Sequence, residues 1–191
     1  MTHLNSLPQI QSAFVTGATG LLGNNLVRLL VSRGVHVKAL SRSRAKAERQ
    51  FGDLPVEIVT GDMAKVGEFA AHLQGNDVVF HTAAFFRDGY KGGRHWKELY
   101  DANVHGTAEL FALAYGAGVR RIVHTSSVAV LAGEPGQLID ESMRRRTQDA
   151  DDYYLSKILS ERVIDDFLEA HPDMWVAGHH RVVSRKRVVE K

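Results

Sequence analysis

Cysteine is absent from this 191-residue chain. That removes disulfides, thiolate zinc sites and cysteine nucleophiles together. It also fits a reducing cytosol, so a cytoplasmic location is expected. No apolar run reaches the roughly 18 residues that a membrane helix needs. The start, Met1-Thr-His-Leu-Asn-Ser-Leu-Pro8, has no basic stretch followed by an apolar one, which predicts no secretory signal. Internal repeats and low-complexity linkers are missing as well. So is a dominant charge: 24 Lys+Arg stand against 22 Asp+Glu, a formal net of +2.

What is present is ordinary for a globular chain, with 44% hydrophobic and 24% charged residues. The length suits one α/β domain with enough material for a core. The charge is uneven. The end from His179 to Lys191 holds Arg181, Arg185, Lys186, Arg187 and Lys191 against Glu190, which leaves the rest mildly acidic. No aromatic residue interleaves with these charges, so nucleic acid is not an expected partner, nor is a membrane. Residues 179–191 are expected to be a solvated, disordered tail on a domain of residues 1–178.

Short apolar runs alternate with amphipathic stretches. Strands are expected at Ala13–Thr16, Val35–Leu40, Val56–Val59, Asp77–His81, within Val119–Ser126, and at Met174–Ala177. Leu21, Leu22, Leu26, Leu29 and Leu30 recur at helical spacing up to Gly34. Further helices are expected at Arg44–Phe51, Lys65–Leu73, Trp96–Tyr115 and Asp151–Ala170. Phe85–Gly93 and Leu131–Asp149 read as loops. Such alternation implies a parallel sheet covered on both faces. Right-handed crossovers then favour a doubly wound α/β sheet in the order 3-2-1-4-5-6.

Thr16-Gly-Ala-Thr-Gly-Leu-Leu-Gly23 lies between the first strand and the first helix. In that turn Gly17 permits a tight bend, Gly20 lets the backbone approach a diphosphate, and Gly23 lets the helix pack closely. The amino end of the helix then faces the anion. Gly17, Thr19, Gly20, Leu21, Leu22 and Gly23 are therefore candidate dinucleotide contacts. A carboxylate at the end of the second strand would bond a ribose 2′-hydroxyl and repel a 2′-phosphate. This chain has Ser41-Arg-Ser-Arg44 there, and Arg42 can pair with a 2′-phosphate, so NADP is favoured over NAD.

Tyr153 and Lys157 stand four apart on an expected helix and so share a face. An ammonium beside a phenol favours the phenolate. A tyrosine so placed can exchange a proton with a carbinol oxygen during hydride transfer. Ser127, beyond the fifth strand, can bond the same oxygen. Tyr154 points about 100° away.

Taken together, these pieces resemble the extended short-chain dehydrogenase/reductase family, within the NAD-dependent epimerase/dehydratase superfamily. The matching stretches are Thr16–Gly23, Gly61-Asp62, His81-Thr-Ala-Ala84, Asn103-Val-His-Gly-Thr107, His124-Thr-Ser-Ser127 and Tyr153-x-x-x-Lys157. They follow the family's order over roughly residues 12–178. Arg42 and the Ser127/Tyr153/Lys157 pattern are most similar to dihydroflavonol-reductase-like members. The resemblance implies a Rossmann-type fold. It implies that Asp62 and Met63 flank the adenine, Ala83 lines the ribose side and Asn103 supports the active-site helix. Lys157 also holds the nicotinamide ribose in this reading. Asp62 as a plain helix cap and Asn103 as a local helix contact stay open beside these roles.

The family continues after the sixth strand with further strands and a substrate lobe. Here Gly178-His-His-Arg follows, and no proline stands after Pro172. A chain truncated or frame-shifted after the sixth strand is the expectation, with low stability or association from uncovered apolar surface. The leading reading is an NAD(P)-dependent oxidoreductase acting on a small carbonyl or alcohol. A nucleotide-sugar epimerase or dehydratase with NAD is the second. A nucleotide-binding remnant without activity is the third. Pairing as a homodimer through Trp96–Tyr115 and Asp151–Ala170 is what the family implies. The ten histidines are scattered without a carboxylate cluster, so no metal site is expected. No Gly-x-Ser-x-Gly elbow surrounds Ser126 or Ser127, which argues against a hydrolase.

Overall fold

A computed structural model describes residues 9–86 and 95–178. Six strands form one parallel sheet: β1 Ser12–Thr16, β2 His36–Ser41, β3 Val56–Thr60, β4 Val78–His81, β5 Arg121–His124 and β6 Trp175–Ala177. Their order is β3-β2-β1-β4-β5-β6, as expected. Helices α1 Leu21–Ser32, α2 Arg44–Phe51, α3 Trp96–Leu99, α4 Gly106–Gly116 and α5 Asp152–Ala170 connect them. The expected basic tail, and most of the loop expected at Phe85–Gly93, lie outside the described residues.

Side chains alternate across the strands with a period of two, so each strand feeds both faces. Phe14, Leu40, Val79 and Ile122 turn to the face covered by α4, α5 and the segment Met63–Leu73. Phe14 stacks on Phe69 there, with ring centroids 5.8 Å apart. Ala13, Val15, Val37 and Ala39 turn to the other face, against Val27 and Leu30 of α1 and Ala47 and Phe51 of α2. Each buried phenylalanine is worth roughly 1.5–3 kcal/mol. The amino ends of the central strands β1 and β4 are tied together by Asp77, whose carboxylate accepts the amides of Gln11 at 2.8 Å and Ser12 at 3.0 Å. The Gln11 hydrogen bond leads in holding that carboxyl below the usual range.

Four details differ from the sequence expectation. In α1 the buried face is Gly23, Val27 and Leu30, whereas Leu21, Leu22 and Leu29 are exposed. The 23–27–30 spacing follows the helical repeat, and the bare Gly23 brings the helix close. The segment Met63–Leu73 is 3₁₀-helical, with a non-helical Lys65. The long helix holds a π-helical turn, Tyr100–His105, between α3 and α4. The expected loop Leu131–Asp149 is more ordered than foreseen. It carries a bridge between Leu131 and Arg144 and closes with a 3₁₀ turn at Thr147–Asp149. Among the described residues no helix is long and apolar enough to cross a membrane.

Candidate active site

Strand order reverses between β1 and β4, so the connections leaving their carboxyl ends run to opposite faces of the sheet and leave a crevice. A cleft of about 480 Å³ opens there. Gly17, Thr19 and Gly20 line one part of it, Ser41, Arg42 and Lys46 a second, and Asp62 and Met63 a third. Ala83, Phe85 and Phe86 line the side toward β4.

The glycine turn is shaped for this crevice. Gly17 has φ 64, and a Cβ there would lie 2.7 Å from the Ala83 nitrogen. That position excludes side chains on both grounds. A Cβ on Gly23 would meet the Gly17 carbonyl oxygen at 2.3 Å, so the close approach is to the turn itself. Gly20 is exposed to the cleft. It precedes α1 and gives no side-chain cap, and no acid stands in the first turn.

Three other helical starts carry a side-chain cap, whereas α3 and α4 do not. Ser43 accepts the Lys46 amide at 3.2 Å, Asp62 the Ala64 amide at 3.0 Å, and Asp151 the Tyr154 amide at 2.7 Å. The amino end of α1 therefore presents unsatisfied N–H groups and a positive dipole end beside the cleft. A dinucleotide diphosphate fits that donor set, and Arg42 with Lys46 offers cations to a further phosphate. Asp62 both caps its segment and lines the cleft, so its two readings coexist. Lys46 escaped the sequence reading. Its signal was the Ser43 cap, which turns the start of α2 toward the end of β2.

A buried polar chain links the crevice to the helices. Thr107 Oγ1 donates to the Asn103 carbonyl at 2.7 Å, so it accepts from His81 Nε2 at 3.1 Å. His81 Nδ1 then accepts from Thr16 Oγ1 at 2.8 Å, which itself accepts the Ala83 amide at 3.2 Å. This order sets the His81 tautomer. Burial, reinforced by the charge of Lys157, pushes His81 down to about 3, so the ring is neutral. Its ring lies 5.1 Å from that of His124 on the adjacent strand.

Asn103 is also buried, in the π-helical turn. Its side chain accepts the Phe85 amide at 2.7 Å and donates to the Phe85 carbonyl at 2.9 Å and to Ser156 Oγ at 3.1 Å. It thus pins the segment after β4 to α5. This reaches well beyond a contact within its own helix.

Tyr153 and Lys157 share a face of α5. Lys157 is 2% exposed, and its Nζ donates to the Thr125 carbonyl at 3.1 Å. Desolvation pushes it down to about 8, against the opposing pull of Glu161. The Tyr153 ring meets the edge of Phe86 at 4.8 Å, and Phe86 lines the cleft. Tyr154 lies instead under the Arg145 guanidinium at 4.7 Å. Ser127 Oγ accepts the Ala129 amide at 3.2 Å, which leaves its own proton available to a substrate oxygen. Ser126 is committed elsewhere, donating to Glu161. Ser127, Tyr153 and Lys157 stand beyond the walls of the cleft proper, as do Leu21, Leu22 and Gly23. Among the described residues no group of His, Asp and Glu is placed to hold a metal.

Known proteins resemble this chain in sequence and in fold. Sterol demethylase protein B of Methylococcus capsulatus is 40% identical over 162 residues, covering 83% of this chain and 47% of that protein. A Synechocystis sp. relative whose name carries dihydroflavonol 4-reductase is 40% identical over 130 residues, covering 68% and 36%. This chain therefore spans less than half the length of these curated relatives. A solved double mutant of the dTDP-glucose 4,6-dehydratase of Streptomyces venezuelae, with NAD bound, superposes with a TM-score of 0.72. It is 26% identical and covers 86% of this chain and 53% of its own. With the NAD dependent epimerase/dehydratase family model matching residues 13–178, the chain belongs to that family.

Proposed function

We propose that this chain is the cofactor-binding part of an NAD(P)-dependent oxidoreductase acting on a small carbonyl or alcohol. The observation that carries the reading is the uncapped amino end of α1, open to the crevice between β1 and β4. Gly17, Thr19 and Gly20, with the first amides of α1, hold the diphosphate. Asp62 and Met63 stand beside the adenine and Ala83 beside the ribose. Arg42 and Lys46 face a 2′-phosphate, which favours NADP.

When bound, the nicotinamide supplies or takes up the hydride. The chain's own residues manage the proton. Tyr153 donates it to the carbonyl oxygen in reduction and takes it back in oxidation. The Lys157 ammonium favours the phenolate and holds ribose hydroxyls. Ser127 donates its spare hydroxyl proton to the same substrate oxygen. Neutral His81 and Asn103 keep the surrounding segments in place.

Calorimetric titration with NADPH and NADH tests the reading. NADPH is expected to bind more tightly. Arg42→Asp weakens NADPH at least about tenfold, the loss of one good charge-assisted contact, and spares NADH. Silence toward both nucleotides overturns the reading. Turnover of a sugar nucleotide with NAD favours the epimerase/dehydratase alternative, and binding without any turnover favours the remnant.

A further inference from the structure

Glu161 lies outside the motifs, one helical turn beyond Lys157, and is 4% exposed. A carboxylate out of water needs strong partners. This one accepts from the Ser126 hydroxyl through Oε1 and from the Arg144 guanidinium through Oε2. Arg144 belongs to the segment after β5, which folds back through its bridge to Leu131. Backbone bonds from Ala132 N to the Met143 carbonyl (3.0 Å) and from Arg145 N to the Val130 carbonyl (2.8 Å) hold that fold-back. Each carboxylate oxygen thus serves one donor, and Arg144 is one cation that its charge meets. The same charge reaches a second cation, since positions four apart share a helix face and Lys157 is the buried one on it.

The groups facing Lys157 come from each element packed on it. They are neutral His81 on β4, whose ring lies beside that of His124 on β5, and, one turn to either side on α5, Tyr153 and the Glu161 that pairs with Arg144. The acid acting on Lys157 is Glu161, opposing the loss of water.

We infer that Glu161 is a positioning residue for the site. Clasped between Ser126 and Arg144, its carboxylate supplies the buried counter-charge that keeps Lys157 an ammonium where it meets the cofactor. Arg144 regulates how much of that charge Lys157 feels. The inference rests on the proposed cofactor reading for its purpose, while its electrostatics stand on the chain alone.

The test follows the Lys157 side chain by NMR in lysine-labelled protein between roughly pH 6 and pH 11, with Lys157→Met to assign the signal. Glu161→Gln keeps the shape and removes the charge, and the Lys157 midpoint is expected to fall by about one unit. Arg144→Gln releases Glu161 from its competing cation, and the midpoint is expected to rise. Opposite shifts support the inference, because loosened packing moves both variants the same way. An unmoved midpoint in either variant, or shifts in one direction, overturns it. Should Glu161→Gln not fold, Arg144→Lys joins Arg144→Gln: the lysine keeps a cation beside Glu161 and is expected to leave the midpoint near the parent value while Arg144→Gln raises it, and equal shifts in the two, or no rise in Arg144→Gln, overturn the inference. NADPH titration of the unaltered protein runs alongside. Its failure removes the cofactor reading and leaves the Glu161 result standing.

Discussion

Lys157 is 2% exposed, and removal from water weakens its hold on a proton from 10.5 to about 8. The folded state therefore binds fewer protons than the unfolded state between those values. Its share of stability is complete above about pH 10.5 and is lost as pH falls through 8, a deficit of roughly 3 kcal/mol. Lys157→Met is expected to be more stable than the parent at pH 7, by something on the order of 2 kcal/mol, and no more stable at pH 10.5. Urea denaturation at the two pH values measures this, and an advantage independent of pH contradicts it. His81 follows the same sign, with a folded value of about 3 against 6.5. Stability present above pH 6.5 is lost toward pH 3, roughly 2 kcal/mol of it between pH 7 and pH 5. His81→Asn, which takes up no proton, is expected to flatten that slope, although it leaves Thr16 and Thr107 without their ring partner.

At the scale of elements, the site depends on how helix ends and turns are finished. The start of α1 lacks a cap where α2 and α5 have one. Gly17→Ala places a Cβ against Ala83 at a φ of 64. It is expected to cost roughly 1–3 kcal/mol and to abolish NADPH binding, as measured by denaturation and calorimetry. The π-helical turn carries Asn103 across to two other elements. Asn103→Ala leaves the Phe85 amide and carbonyl without their bonds, at a cost of about 1–3 kcal/mol. Hydrogen exchange is expected to speed up at Phe85 and along the start of α5. Exchange unchanged at Phe85 means the clamp holds nothing.

For the whole molecule, the sheet carries a hydrophobic core on each face, with the cleft at the carboxyl ends of its central strands. Apolar side chains nonetheless stay wet around the site, Val128 at 83% and Phe86 at 64% exposure. Ligand binding couples to the stability of the entire domain. NADPH at about 100 times its dissociation constant is expected to stabilise it by roughly 2.7 kcal/mol. For a chain of this size that raises the melting temperature by about 5–10 °C. NADH at the same concentration shifts it less, and equal shifts contradict the proposed preference for NADP.

Local pattern was enough to determine the strands, the sheet order and the glycine turn. Apolar runs of strand length alternate with helical periodicity, and the handedness of crossovers leaves few arrangements. The spacing of Tyr153 and Lys157 likewise follows from the helical repeat. Which leucines of α1 face water was not legible, because a helix with apolar residues around it does not declare its buried side until Gly23 meets the turn. The pattern after the fifth strand pointed past Ser126 to Ser127 without a physical reason for the choice. Only packing across α5 commits the first to Glu161 and leaves the second its proton. The π-helical turn, the neutral His81 chain and the clasp of Glu161 by Arg144 join residues distant along the chain. Their charge states depend on burial, and burial is a property of the assembled fold.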